Sequence, residues 1–352
     1  MTSLLPATIA SRSLPATLLA FQHVLFPTFD SAAPQFLLRW DAVHFIHVAR
    51  AGYVYEHEWA WFPAIPFLLS FSKFAPTIIS IVVASDMTAT MYALSLHHLQ
   101  SPALARLATL LSLLPSSPAT LFVAPYTELL YTYFSYKGML SCAKSHYLLA
   151  SLYFTAAAAF RANGFLLVGF LIWGIALQPL LERKKIYLSS VLVTCGALSA
   201  LPFIPFVAHN YAAFSVFCKP DSGTPWCTHR VPLIYPYVQG QYWNVGLFRY
   251  WTLQQLPNIL LGAPPLVALF LFSIQYMRSW MRFDASKHTS RPAGLAPHAI
   301  HALIMPRRYP LPTGQRPGCL LTIQGGDDGG SPGVCYGGLY RRSCGGVFLP
   351  PA

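Results

Sequence analysis

The sequence predicts an all-α polytopic membrane protein, and three observations carry that prediction. Hydrophobic residues fill 55% of 352 positions while 10% are charged, less than half the charged share of an ordinary soluble domain. Apolar runs long enough to cross a bilayer recur along the chain. Lys and Arg fall mainly between those runs and in the last quarter, so the net charge of +12 fits a positive-inside bias and anionic lipid headgroups. No Walker loop, zinc-finger spacing or basic-aromatic module is present, and nucleic acid is set aside as a partner.

Taken in order, crossings are expected near residues 14–29, 76–98, 101–123, 127–143, 147–160, 163–181, 186–208 and 257–277, about eight within a transmembrane domain over 1–290. The N-terminal "MTSLLPATIASRSLPATLLAFQHVLF" reads as a retained first span, because no small-residue cleavage site follows the apolar stretch. "AWFPAIPFLLSF", residues 60–71, is too short and too rich in Pro to cross, and is expected to be re-entrant or interfacial. "ERKK" at 182–185, with Lys144, Arg278, Arg282, Lys287 and Arg291, marks the cytoplasmic side. Eight crossings then put Arg12 in the cytosol and two polar segments, residues 30–75 and 209–256, on the luminal face. Beyond about residue 291 the chain turns Gly- and Pro-rich, as in "IQGGDDGGSPGVCYGGLYRRSCGG", and disorder is expected over 291–352. No internal repeat is evident, which argues against an inverted-repeat transporter.

Seven cysteines include no CxxC pair. Cys218 and Cys227 in "FCKPDSGTPWC" flank a short polar loop that closes as a disulfide in an oxidising lumen or stays as two free thiols. The 11 Asp and Glu residues are unevenly spread, with Asp30, Asp41, Glu56 and Glu58 inside one short stretch. There, "RWDAVHFIHVARAGY" reads as an amphipathic helix ended by Gly52. At 100° per residue Asp41, His44 and His47 share about 120° of arc, with Trp40, Val43, Phe45, Ile46 and Val48 around them as apolar surface for the membrane. Three readings stay open for the titratable face: solvation alone, a metal site on Asp41, His44 and His47, and a catalytic carboxylate at a membrane surface. The i, i+3, i+6 spacing spreads metal ligands around a helix, unlike HExxH. A general base suits a site where a hydroxyl must lose its proton as it attacks. A transporter or lipid scramblase would instead string carboxylates along the spans, and Asp86 is the one inside an apolar run.

Four segments together resemble one known family. "RWDAVHFIHVARAGYVYEHEWAWFP", "SPATLFVAPYTELLYTYFSYKG", "AAFRANGFL" and "FCKPDSGTPWCTHRVPLIYPYVQGQYWNVGLFRYWTLQQLPNILLGAPP" are similar, in the family's order, to the PIG-V family of GPI mannosyltransferases, most of all its fungal branch. The resemblance implies a GT-C-like helix bundle in the endoplasmic reticulum membrane with a luminal active site. It implies transfer of the second mannose, in α1,6 linkage, from dolichyl-phosphate mannose to the mannosylated GPI lipid precursor, with inversion. Asp41 would be the base, with His44 or Glu56 assisting it. Arg161 would face the donor phosphate, with Arg39, His229 and Arg230 behind it and Glu128 and Asn163 nearby. Trp40, His47 and Glu58 would help bind substrate, and Gln241, Tyr242, Trp243 and Asn244 would contact the acceptor sugar. No cofactor or metal is required, a divalent ion stays compatible, and the fungal family suggests a small membrane accessory subunit. After "GLAPHAIHALIMP" the family pattern stops, as in a shortened, non-catalytic member or a frame-shifted gene model.

Overall fold

A computed structural model describes residues 4–25, 41–114, 124–181, 187–220, 223–246, 248–249 and 251–286, all within one compact unit. Arg39, Trp40, the ERKK cluster and the Gly-rich tail lie outside the described residues. Among the described residues every regular element is helical, as the composition required. Four helices are long and apolar enough to cross a membrane, Ala75–Leu99, Ala162–Leu181, Leu188–Phe217 and Leu253–Arg278, and Tyr147–Phe160 is a shorter apolar helix.

Helix α1 (Leu5–Leu25) starts well before residue 14 and continues through Pro15. Arg12, expected in the cytosol, is therefore mid-helix and 6% exposed. The reason is packing: a Thr8–Thr88 hydrogen bond of 3.0 Å holds α1 against the helix that carries Thr88. Next come α2 (Asp41–Ala51), a 3-10 turn (Glu56–Ala60) and α3 (Ala64–Phe71), an eight-residue helix too short to span, as expected for residues 60–71. The first span, α4 (Ala75–Leu99), is followed by α5 (Pro102–Ser112), whose 11 residues fall short of the crossing expected over 101–123; residues 115–123 lie outside the described part.

Among the described residues, α6 (Thr127–Ala143) and α7 (Tyr147–Phe160) make the most extensive helix–helix contact. Gly138 on α6 makes it possible, because a Cβ there would lie 2.2 Å from the Phe154 ring. The span Ala162–Leu181 is irregular. It runs from a 3-10 segment (Ala162–Leu167) through α8 (Val168–Ile172), a π turn (Trp173–Leu177) and α9 (Gln178–Leu181). The Tyr147 hydroxyl donates to the Gly174 carbonyl at 3.0 Å, satisfying a group that the π turn displaces.

The next span joins α10 (Leu188–Ala200) to α11 (Ile204–Phe217) through a 3-10 turn at Leu201–Phe203. Its expected end at 208 is corrected to 217. His209 and Asn210 read as loop residues but are buried, and each has a bond that keeps it in the helix: Asn210 Nδ2 donates to the Phe206 carbonyl at 2.8 Å, and His209 Nε2 pairs with the Trp59 carbonyl at 2.9 Å. A 3-10 turn (Pro225–Thr228), α12 (Ile234–Trp243), a second turn (Leu253–Gln255) and α13 (Leu256–Ser286) complete the described chain.

Candidate functional site

Helix α2 carries the opening cluster, and its sequence divides it into faces. Ala42, Phe45 and Val48 are buried. Ala42 and Phe45 pack with Ile65, Leu69, Ala124, Tyr126, Leu130 and Phe160. The apolar side expected to rest on the membrane is thus spent on the protein core, because α3, α6 and the end of α7 supply matching apolar surface. Asp41 opens the helix, where an acidic residue complements the dipole. Gly52 ends it at φ +76°, a left-handed conformation that favours glycine.

Asp41 is exposed, and among the described residues no hydrogen bond or ion pair engages its carboxylate. Its amide and that of Ala42 point at the Tyr126 hydroxyl oxygen. Burial, with the Asp41 charge behind it, pushes that hydroxyl up to about 12. His44 lies flat on Trp61, ring centroids 4.1 Å apart. Burial, then the neighbouring His57, lowers its affinity for a proton, against the pull of Asp41 and Glu58. His47 turns instead to Glu58, so Asp41, His44 and His47 do not converge. Among the described residues no three His, Cys, Asp or Glu side chains could hold a metal together.

Glu58, expected among the substrate-binding residues, is 1% exposed and is occupied by the chain itself. Its carboxylate pairs with His47 Nδ1 and accepts from the amides of Val54 at 2.8 Å and Tyr55 at 2.9 Å. Burial alone would raise its pKa, but those amides and His47 outweigh it and the net direction is down. These contacts close the segment after α2 into a loop. Glu56 on the same turn points elsewhere. It accepts from Trp226 Nε1 at 3.0 Å and from the Tyr242 hydroxyl at 3.3 Å, so it ties the first polar segment to the second. Trp226 is fully buried beside the Cys218–Cys227 disulfide, which the structure forms.

Several expected residues meet around these ties. Trp243 stands edge-on to Trp61 at 5.6 Å, and Tyr242 lies 5.7 Å from His57. Gln241, Tyr242, Trp243 and Asn244 are all exposed at the end of α12, with Asn244 capping it at φ +52°. Arg161 sits in the break between α7 and the following 3-10 segment and donates to Glu128 at 2.8 Å, with Tyr131 beneath it. Tyr126 carries Asp41's neighbourhood toward this pair, since it senses both Asp41 and Glu128. Asn163, His229 and Arg230 are exposed. Asp86 is engaged across two helices, by Lys137 of α6 at 2.6 Å and the Tyr133 hydroxyl at 2.8 Å. It acts as a cross-link there.

The sequence reading did not single out Tyr126, Trp226 or His209. Tyr126 lay inside the quoted "APYTE", but only tertiary structure brings its hydroxyl to the start of α2.

The family described as Mannosyltransferase (PIG-V) matches residues 15–288. A rat protein named GPI alpha-1,6-mannosyltransferase 2 is 32% identical over 278 residues, covering 65% of this chain and 55% of that protein. GPI mannosyltransferase 2 of Cryptococcus neoformans is 32% identical over 307 residues, covering 75% and 70%. The Schizosaccharomyces pombe protein of the same name is 32% identical over 255 residues, covering 68% and 53%. The chain thus spans about half the length of the mammalian relatives it matches, and no solved structure matches it. With a family match over most of its length, and with matched residues that include both polar segments and the helices packed beneath them, the chain belongs to the PIG-V mannosyltransferase family.

Proposed function

We propose that the protein transfers the second mannose, in α1,6 linkage, from dolichyl-phosphate mannose to the mannosylated GPI lipid precursor. The site would lie on the luminal side of the endoplasmic reticulum membrane, in a bundle of about eight crossings. Asp41 takes the proton from the acceptor's 6-hydroxyl as that oxygen bonds to the donor's anomeric carbon. The bond from that carbon to the phosphate breaks, dolichyl phosphate leaves with the electron pair, and the β-linked donor yields an α-linked product. One displacement needs one base and a stabilised anionic leaving group. Arg161 serves the phosphate, exchanging part of its contact with Glu128 for the donor. Tyr242, Trp243 and Gln241 offer stacking faces and hydrogen bonds for the acceptor sugar. The proposed displacement uses protein groups throughout, and a small membrane accessory subunit is a proposed partner.

The observation that supports this reading best is the contrast among carboxylates. Glu56, Glu58, Asp86 and Glu128 each have protein partners, whereas the exposed Asp41 carboxylate has none among the described residues. The test is transfer in microsomes from a strain lacking the second GPI mannosyltransferase. Asp41→Asn is expected to lower transfer by about 10²–10⁴-fold, the usual worth of a general base, and to accumulate the one-mannose intermediate. Near-normal transfer by that variant would remove Asp41 from the role, and failure of the unmodified chain to transfer would remove the activity itself.

A further inference from the structure

A third face of α2, at the edge of the core, is turned away from the titratable residues. Ile46, Ala49 and Arg50 lie along it, and with Leu69, Ser70 and Lys73 they line a cavity of about 290 Å³ between α2 and the end of α3. Asp41 and Arg50 are nine residues apart, so they point to opposite sides of α2 and stand about 13 Å apart along its axis. This cavity is separate from the proposed site of transfer.

Its two cations distinguish it. Arg50 and Lys73 are both exposed. Among the described residues neither has a carboxylate partner, whereas Lys137 and Arg161 are both paired. The walls are apolar at Ile46, Ala49 and Leu69. Phe67, Phe71 and Phe74 stand exposed on and just after α3, which suits the depth of lipid headgroups. Two unneutralised cations over an apolar floor fit a ligand with an anionic head and an apolar body. The volume is at the lower end of ligand cavities, so it suits a headgroup and not a whole lipid. Arg offers a planar fork to phosphate oxygens and Lys a point charge.

We propose that this cavity binds the phosphodiester of an anionic membrane phospholipid, anchoring helix α2, which carries Asp41, to the bilayer surface. The site does not depend on the transfer reaction and would exist in an inactive chain.

Native mass spectrometry of the purified full chain tests it, with phosphatidylglycerol, phosphatidylcholine or inorganic phosphate as the probe. Phosphatidylglycerol is expected to be retained in preference to phosphatidylcholine. Arg50→Gln with Lys73→Gln is expected to weaken that retention about tenfold or more, while Arg50→Lys with Lys73→Arg preserves it. Asp41→Asn is also expected to leave it unchanged, which separates this site from the site of transfer. Ala49→Trp fills the cavity with both cations in place, and is expected to displace the lipid even if the neutralised pair does not fold. Unchanged retention in the Gln pair or in Ala49→Trp would overturn the proposal. Equal retention of phosphatidylcholine, or competition by inorganic phosphate at equal concentration, would also overturn it, the latter by marking a site for free anions.

Discussion

At the scale of single residues, the carboxylates of the first polar segment divide by what surrounds them. Glu58 has given its acceptor capacity to the chain, so its removal strands the Val54 and Tyr55 amides. Glu58→Ala is expected to cost about 1.5–3 kcal/mol, the worth of hydrogen bonds to a charged group, and to lower the melting temperature. Unchanged melting with a raised KM would instead mark Glu58 as a sugar contact. His44 and Glu58 also set a pH dependence. His44 holds its proton less tightly folded than unfolded, so stability is full above the ordinary imidazole value of about 6.5 and declines as pH falls through it. Glu58 is likewise more acidic when folded, and its contribution is lost only at lower pH, below the ordinary carboxylate value of about 4.3. Melting between pH 7.5 and 5.5 should therefore fall in the unmodified chain and fall less steeply in His44→Gln; an identical slope in both would remove His44 from the account.

At the scale of elements, two devices hold the site. One is the close turn after α7, where Gly164 packs so tightly that a Cβ would lie 2.4 Å from the Ala158 Cα. Gly164→Ala is expected to cost about 1–3 kcal/mol through overpacking, and to loosen the Arg161–Glu128 pair, read as lower yield of folded protein. The other is the Cys218–Cys227 bridge, nine residues apart in sequence, worth about 2.5 kcal/mol by the loop-entropy relation. Replacing both cysteines by Ser should lower the melting temperature and free Trp226 from Glu56; no loss of stability would mean the bridge is dispensable. Helices α6 and α7 were legible to the residue, because polar residues punctuate their apolar runs. The end of α11 was not, because His209 and Asn210 are polar by type and helical only through partners in Trp59 and Phe206. Periodicity likewise found the titratable arc of α2 but could not say that His47 would turn to Glu58 and His44 to Trp61.

At the scale of the whole molecule, the spans are predominantly apolar outward, and α13 exposes Leu260, Leu261, Leu266, Phe270 and Phe272, a surface that needs hydrocarbon or further helices. Composition alone showed this class, while the side of the membrane rests on charge bias. A glycosylation acceptor inserted at Thr228–Arg230, on the exposed stretch after the disulfide turn, should be modified in microsomes if that segment is luminal; consistent absence of the glycan would reverse the orientation. The His209–Trp59 bond gives this architecture one more property. It ties the backbone next to Glu58 to a helix 30 residues long, whose tilt follows the hydrocarbon thickness around it. Bilayer thickness thereby becomes an input to the geometry of the loop, so the same chain would hold its acidic cluster differently in membranes of different depth.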